Sequence, residues 1–276
     1  MNRFPISIAS YSFHGMLEEG RIDIFGYLEM LHSRYRVANA DIWSGFLPTL
    51  EEGFLKKVRE EMGRRDIALA NLCVDGPHLW MDDVDERERH HALALRYIQA
   101  ATLLGARTIR IDAGILEDEM PDEAFEYVVR TYREYAGICH NEGIRIGTEN
   151  HWGASRIPAN LRRIRDAVNH PGYGHLLHFQ NFARDMEDGY DAVIPIAMHS
   201  HIAAETIPVA KEIIRRLAAS GYKGTYSVEH HSAELELERV EWQLGSLRSI
   251  MAELEREGLE GPVKPDYFHN IYDSNK

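Results

Sequence analysis

Four residues with side chains that can bind a divalent metal lie at the ends of four consecutive strand-like segments. Glu149, His178, His201 and Glu229 occur in IRIGTENH, HLLHFQNF, IAMHSHI and GTYSVEHH, between 23 and 29 residues apart. Two carboxylates and two imidazoles suit a borderline ion, Mn²⁺ first and then Co²⁺, Fe²⁺ or Zn²⁺, better than Mg²⁺, which prefers oxygen ligands. Each interval has room for one strand and one helix, so the four side chains can meet at one rim of a parallel barrel.

The alternation of side chains along each strand supports this interpretation. In IAMHSHI, His199 and His201 fall on one face, while Met198 and Ile202 fall on the other. The other three segments alternate in a similar way, so the apolar set is expected to face helices and the polar set to face inward. A single histidine or glutamate at a strand end is more often structural. Four of them in chain order favour a site, because buried unpaired carboxylates would be costly.

Eight short apolar runs separated by amphipathic segments predict a single (β/α)₈ TIM barrel over residues 1–258. A doubly wound open sheet is the alternative, but the first run is followed by SYSFHGMLEEG, which lacks a glycine-rich phosphate loop. Prolines at 121, 158 and 208 indicate helix starts. The predicted strands begin near Ile6, Val37, Ala68, Thr108, Arg145, His175, Ile196 and Gly224.

Composition favours a cytoplasmic protein with a small-molecule partner. The 276 residues carry a formal net charge of −13, which disfavours nucleic acids and anionic membranes. No apolar stretch approaches the roughly 20 residues of a membrane span, and the N-terminus does not resemble a signal peptide. Cys73 and Cys139 match no metal or redox spacing and are expected to be buried, reduced thiols. The acidic run ELELERVEW is expected to be a solvated helix face.

The C-terminal segment 259–276 loses the periodic pattern but keeps three aromatic residues, Tyr267, Phe268 and Tyr272. We expect it to pack on the barrel or on a neighbouring subunit of a homo-oligomer, and the sequence does not choose between these.

These motifs resemble the xylose isomerase-like TIM barrels, the sugar phosphate isomerase/epimerase superfamily that includes ketose 3-epimerases, inosose dehydratases and endonuclease IV. The resemblance covers essentially the whole chain and is most specific in T-E-N-H, in the H-x-H of strand seven and in GYKGTYSVEH before strand eight. It implies one divalent metal ion held by Glu149, a strand-six residue, His201 and Glu229. The strand-six residue is usually aspartate, whereas this chain has His178.

The exchange of aspartate for His178 would make the metal site one unit more positive. A more electrophilic ion would hold a ketone or enediolate oxygen more strongly, at some cost in affinity for hard cations. The exchange also leaves open whether the strand-six residue is a ligand at all.

By resemblance, the chain is expected to be a metal-dependent isomerase or epimerase of a sugar, a keto-sugar or a polyol-derived ketone. Glu149 and Glu229 would be the catalytic pair that moves a proton through a metal-bound cis-enediolate. A metal-dependent lyase or dehydratase, including a C-glycoside-cleaving one, is the closest alternative. A non-catalytic barrel subunit and an endonuclease IV-like enzyme are further alternatives, and the net charge argues against the second.

Residues near the predicted mouth supply candidates for substrate binding. Tryptophan can form an apolar wall for a sugar ring, and histidines can bond its hydroxyls or assist proton transfer. Structural packing or a salt bridge is the alternative for each. The candidates are His14, Trp43, His78, His151, Asn181 and His199, with Asp41, Asp75, Trp80, Arg110, Asp112, Trp152 and His231 nearby.

Overall fold

The computed structural model describes residues 4–259. Eight parallel strands pair in chain order and close into a barrel, with the eighth pairing with the first. The predicted (β/α)₈ fold is therefore confirmed, and every strand begins within two residues of its predicted start. The strands are β1 Ile6–Ala9, β2 Asn39–Trp43, β3 Ala68–Val74, β4 Thr108–Ile111, β5 Arg145–Glu149, β6 Tyr173–His178, β7 Ala197–Ala203 and β8 Tyr226–Glu229.

Helices follow the strands and form the outer layer. The long helix α4 illustrates how the sequence sets their limits: Asp83 accepts a hydrogen bond from the backbone N–H of Glu86 at 2.9 Å, and Gly105 ends the helix in the left-handed conformation. The helices are α1 His14–Glu18, α2 Ile24–Glu29, α3 Glu52–Arg64, α4 Val84–Leu104, α5 Asp122–Asn141, α6 Pro158–Val168, α7 Met186–Val193, α8 Ile207–Ala219 and α9 Glu236–Arg256. Within residues 4–259, no helix is long and apolar enough to cross a membrane.

The main hydrophobic core lies between the strands and the helices, whereas polar side chains cross the inside of the barrel. Asp41 on β2 accepts a hydrogen bond from Asn71 on β3 at 2.9 Å, and Thr108 on β4 donates to the same asparagine at 2.8 Å. Both cysteines are buried and unbridged. The interior is thus a polar column that leads up to the carboxyl ends of the strands.

The acidic run at the start of α9 is only partly solvated, contrary to the prediction. Glu236 is buried and accepts hydrogen bonds from the backbone N–H groups of Gly15 at 2.7 Å and Met16 at 2.9 Å. Because these donors are unpaired amides in the first turn of α1, the carboxylate acts as a cap and joins α9 to α1. The predicted packing of segment 259–276 falls outside the described residues except for Leu259, which contacts the core.

Candidate metal centre

The four predicted ligands meet at the carboxyl end of the barrel. One ligand atom from each of Glu149, His178, His201 and Glu229 lies within 4.8 Å of the others, and all four residues are buried. His201 Nδ1 lies 3.3 Å from Glu149 Oε1 and 3.2 Å from Glu229 Oε2. His178 Nδ1 lies 3.0 Å from the same oxygen of Glu149. We call these four residues the ligand ring.

The ligand ring fits a divalent cation. His201 Nδ1 and Glu229 Oε2 are buried and make no hydrogen bond of acceptable geometry, although they face each other. Burial opposes the charge on His201, but Glu229, Glu149 and Asp41 outweigh it and raise the pKa of its ring well above the usual value. So many carboxylates around one imidazole require a positive charge at this place. A proton or a metal ion would supply it.

Asp41 lies directly beneath the ligand ring. Its Oδ2 accepts hydrogen bonds from His201 Nε2 at 2.9 Å, from His199 Nε2 at 2.8 Å and from Ser227 Oγ at 2.8 Å. Burial opposes ionisation of Asp41, but the two histidines outweigh it and hold the pKa of the carboxyl far below its usual value. Asp41 was only a minor candidate from the sequence, because nothing there indicates that β2 and β7 present their polar residues to each other.

His199 does not lie at the mouth. It is 1% exposed, and its Nδ1 is 3.1 Å from the hydroxyl of Thr225 while its Nε2 is bonded to Asp41. Both ring nitrogens therefore have partners inside the barrel. This placement does not fit the predicted contact of His199 with a substrate, since the residue sits one layer below His201 on the same strand.

A buried arginine forms an ion pair with the second oxygen of Glu149. Arg110 Nε lies 3.1 Å from Glu149 Oε2 without hydrogen-bond geometry, and its Nη1 lies 2.6 Å from Asp75 and 3.0 Å from Asp112. Arg110 is 3% exposed, and its Nη2 lies 2.6 Å from the sulfur of Cys73. Burial opposes ionisation of Glu149. The charges of His151 and His201, with hydrogen bonds from His178 and His201, outweigh burial and lower the pKa of Glu149 well below the usual value.

Asp112 also orients His151 beside the ligand ring. His151 Nδ1 lies 3.1 Å from Asp112 Oδ2, and the imidazole stacks on the Trp152 ring at 4.3 Å between centroids. Burial lowers the pKa of His151, but Glu149 and Asp112 outweigh this effect and raise it to about 9. The predicted candidate His151 is therefore at the mouth, with one nitrogen tied to a carboxylate.

Glu229 has different surroundings. Its Oε2 lies 3.1 Å from His231 Nε2 and 3.7 Å from His178 Nδ1. The side chain of His231 is 43% exposed, so this partner of Glu229 reaches solvent. The backbone carbonyl of Glu229 accepts a hydrogen bond from Gln243 of α9 at 2.9 Å. Burial raises the pKa of Glu229, but His201, His231 and His178 together hold it below the usual value.

Asn150 fixes His178 at the end of β6. The backbone N–H of His178 donates to Asn150 Oδ1 at 2.8 Å, and Asn150 Nδ2 donates back to the carbonyl of His178 at 2.8 Å. This reciprocal pair joins the ends of β5 and β6. The T-E-N-H motif contains this asparagine, for which no role was predicted. An amide immediately after a strand-end ligand was the available signal.

The predicted residues on the strand-one side form an aromatic wall. His14 begins α1 and stacks on Tyr11 with ring centroids 4.6 Å apart, and Trp43 contacts Tyr11 edge-on at 5.1 Å. Tyr11 also lies 6.4 Å from the His231 ring. Trp43 Nε1 donates to Asp75 at 2.7 Å, which fixes the indole. Tyr11 joins these residues and was missed, although SYSF placed it just beyond β1.

The remaining two candidates lie on the other side of the mouth. His78 contacts the Trp152 ring edge-on at 5.2 Å, and its Nδ1 is buried without a hydrogen-bond partner. Asn181 donates from its side chain to the backbone carbonyls of Asn150 at 2.8 Å and His151 at 3.1 Å. Its amide nitrogen therefore holds the loop after β5, which makes Asn181 a support for His151.

An open cavity of about 420 Å³ lies beside His178, which is the member of the ligand ring in its lining. Most of its lining side chains are polar and can bond hydroxyl or carbonyl groups, and no lysine or arginine is among them: His151, His178, Gln180, Asn181, Glu205, Thr206 and His231. Glu229 lines an adjoining cavity of about 340 Å³ that shares Glu205 and His231 with the first and also includes Arg239. A small polar molecule can thus enter beside the ligand ring.

The barrel agrees with the similarity of the chain to known proteins. The sequence profile of the xylose isomerase-like TIM barrel family matches residues 25–253, and the chain belongs to that family. No curated protein matches the chain at significant sequence similarity.

Solved structures share the fold at low identity. A probable 3-DHS dehydratase of petrobactin synthesis from Bacillus anthracis is 13% identical, with a TM-score of 0.70 over 88% of this chain and 98% of the other. A D-psicose 3-epimerase determined with D-fructose is 14% identical, with a TM-score of 0.70 over 94% and 100%. A xylose isomerase-like TIM barrel protein from Mycobacterium smegmatis in complex with magnesium is 17% identical, with a TM-score of 0.67 over 90% and 98%.

Proposed function

We propose that the protein is a divalent-metal-dependent isomerase or epimerase of a sugar, a keto-sugar or a polyol-derived ketone. One observation carries the proposal: two glutamates and two histidines from four consecutive strands bring their ligand atoms within 4.8 Å of one another at the barrel mouth. Active sites of such barrels lie at this end. Solved structures with the same fold include an epimerase and a dehydratase, which supports an enzyme.

The two glutamates are the proposed proton-transfer groups. They come from β5 and β8, three strands apart, so a small substrate above the ligand ring would be flanked by both. A bound divalent ion would polarise a carbonyl and the adjacent hydroxyl and acidify the C–H between them. Glu149 or Glu229 would then accept that proton as a general base, and return of the proton to the other face or to the neighbouring carbon would give the epimer or the isomer.

The chain's other residues would bind and orient the substrate. Tyr11, His14 and Trp43 offer an apolar wall on one side, next to His231, while His151 offers a hydrogen bond on the other. Among the described residues that line the two cavities beside His178 and Glu229, Arg239 is the one lysine or arginine, which favours an uncharged carbohydrate over a phosphorylated one. Work in the cytoplasm and assembly into a homo-oligomer remain predictions.

Mn²⁺ is the proposed ion. Two imidazoles beside two carboxylates favour a borderline transition metal, and the relative with magnesium demonstrates that this fold can hold a divalent ion. Metal analysis of protein purified without chelators should find close to one ion per chain. A chain without a stoichiometric ion, even after addition of Mn²⁺, would favour a non-catalytic barrel.

Deuterium uptake tests the reaction even while the identity of the substrate is open. The Mn²⁺-loaded protein is incubated in D₂O with a panel of sugars and keto-sugars, and NMR follows the loss of C–H signals. We expect one class of compound to exchange the hydrogen next to its carbonyl. Glu241→Gln, which changes an exposed glutamate on α9, is the matched control for Glu149→Gln and Glu229→Gln and should exchange like the wild type. Exchange that persists in both active-site variants would refute the assignment.

A lyase or dehydratase is the second candidate, and a specific observation favours it. Loss of a leaving group needs an acid near the proton-transfer pair, and His151, oriented by Asp112 at 3.1 Å, lies beside Glu149. The solved structures with this fold include the probable dehydratase. The same NMR panel separates the two reactions, because elimination creates a new double bond, whereas isomerisation conserves the formula of the substrate.

A further inference from the structure

Asp41 is held from every side at the centre of the barrel. Besides the three donors that meet at its Oδ2, Asn71 donates to Oδ1 at 2.9 Å, and the backbone N–H of Asp41 donates to the Tyr27 hydroxyl at 3.0 Å. Asp41 is 0% exposed. A carboxylate with this many donors is fixed in place, and it lies one hydrogen bond away from the ligand ring.

We propose that Asp41 is a positioning residue for the metal centre: it fixes His201 as a ligand and supplies the negative charge that His178 does not. The inference rests on the proposed metal-dependent function. It goes beyond that function because Asp41 belongs to neither the ligand ring nor the mouth.

The geometry explains the first part of the proposal. Oδ2 of Asp41 is an acceptor, so His201 must carry its hydrogen on Nε2, 2.9 Å away. The lone pair on Nδ1 is then directed at the space between Glu149 and Glu229, 3.3 Å and 3.2 Å away. A carboxylate on the far nitrogen of a metal-binding histidine sets the tautomer and the ring orientation and makes the imidazole a better donor.

The charges explain the second part. The ligand ring has two carboxylates, because β6 contributes His178. The imidazole centroids of His178 and His201 are 5.9 Å apart, and His201 is the member of the ligand ring that contacts Asp41. A hydrogen bond to a carboxylate shifts negative charge onto His201, so part of the charge absent from the strand-six position reaches the ion through its neighbour.

Asp41, His199 and His201 could also hold an ion themselves, since their ligand atoms lie within 4.8 Å of one another. That arrangement would require Nε2 of both histidines without hydrogen. The distances of 2.8 Å and 2.9 Å to Oδ2 are those of charge-assisted hydrogen bonds, which favours positioning over direct binding. The number of ions per chain distinguishes the two cases.

Mn²⁺ affinity of the full-length apoprotein, measured by competition with a fluorescent chelator, tests the proposal. Asp41→Asn keeps an acceptor oxygen of the same shape and removes the charge. We expect affinity to fall about 10- to 100-fold, the usual effect of losing such an outer partner. Ser227→Ala is the matched control: it removes another donor to the same oxygen, leaves the charge and the His201 contact, and should stay within about threefold of wild type.

A double-mutant cycle tests the charge argument. If Asp41 compensates for His178, then His178→Asp should recover at least about tenfold of Mn²⁺ affinity in the Asp41→Asn protein and clearly less in the wild type. Additive effects would overturn the compensation. Unchanged affinity in Asp41→Asn, or two ions per wild-type chain, would overturn the positioning role. Failure of the wild type to bind Mn²⁺ would instead refute the proposed function.

A measurement on the wild type covers the case in which Asp41→Asn does not fold. In the Zn²⁺-loaded, ¹⁵N-labelled protein, two-dimensional spectra of histidine rings report which nitrogen carries hydrogen, and His201→Gln assigns the signal. We expect Nε2–H on His201 with the metal on Nδ1. A His201 with hydrogen on Nδ1, or with Nε2 bound to the metal, would overturn the proposal.

Discussion

Glu149 and Glu229 contribute to the same ligand ring, but their second partners differ. On the β5 side, Arg110 lies 3.1 Å from Glu149 Oε2 and is itself held by Asp75 and Asp112. On the β8 side, the partner 3.1 Å from Glu229 Oε2 is His231. The Glu149 side chain is 2% exposed and that of Glu229 is 10% exposed. Glu149 is thus paired with a buried, permanently charged residue, whereas Glu229 has a partner that reaches solvent.

Two residues of the same type at equivalent strand ends can therefore have different roles. An arginine cannot release its proton in a protein, so Arg110 keeps a positive charge beside Glu149 and stabilises the charge of that carboxylate. A histidine can exchange protons with water near neutral pH. We call the β5 side, where buried ion pairs surround Arg110, the rigid side. We call the β8 side, where His231 reaches solvent, the accessible side.

The largest expected effect comes from the glutamates themselves. Glu→Gln keeps the shape but removes a base and a ligand charge, and acid–base catalysis alone supplies about 10²–10⁴-fold in rate. Turnover should fall more than about a hundredfold in Glu149→Gln and in Glu229→Gln, and the double variant should be little worse, because the groups act as a unit. Steady-state kinetics and deuterium exchange check this. Near-normal exchange in one variant would remove that residue from the catalytic pair.

Arg110→Gln tests the rigid side through stability. The change leaves Asp75, Asp112 and Glu149 without their common cation, and breaking a buried ion pair costs about 3–5 kcal/mol of unfolding free energy. His231→Gln on the accessible side should cost less than about 1 kcal/mol, because a partly exposed ion pair contributes little. Urea denaturation of both apoproteins gives the two values. Equal losses would mean that the two sides are not built differently.

The barrel could be predicted from the sequence because eight apolar runs recur with amphipathic segments between them. The ligand ring could be predicted because Glu149, His178, His201 and Glu229 end four consecutive predicted strands, and the structure brings them together at one rim. These inferences need only chain order and the two-residue period of a strand. Whether the four residues bind an ion remains a prediction.

What the sequence did not provide is the depth of each side chain and its partner on a distant strand. His199 was expected at the mouth, but its contacts with Asp41 and Thr225 place it a layer lower. Asp41 and His201 are 160 positions apart, and their meeting depends on how strands stagger around the barrel. Glu236 was assigned to a solvated face because it lies in an acidic run. Its hydrogen-bond donors belong to α1, which is distant in the sequence, so the local pattern does not indicate them.

His178→Asp should change metal preference without changing the fold. Aspartate restores an oxygen ligand at the strand-six position, so affinity should move toward harder ions, with the ratio of Mg²⁺ to Mn²⁺ affinity rising about tenfold. His178 Nδ1 lies 3.0 Å from Glu149 and 3.7 Å from Glu229, so the change adds a negative charge near both sides. Titration of each ion into the apoprotein gives the ratio. An unchanged ratio would mean that His178 does not contact the ion.

The smallest effect is expected from His231, which sharpens the account of the accessible side. Its contact with Glu229 Oε2 at 3.1 Å is one partly exposed ion pair, with a typical contribution of about 0.2–1 kcal/mol. His231→Ala should therefore lower kcat only about two- to fivefold, since Glu229 keeps His201 as a second neighbour. His231→Gln can still donate a hydrogen bond and should recover most of the loss if positioning of Glu229 is the role. If the glutamine variant stays as slow as the alanine variant while KM is unchanged in both, the imidazole itself moves the proton. A rise in KM alone would place His231 in substrate binding.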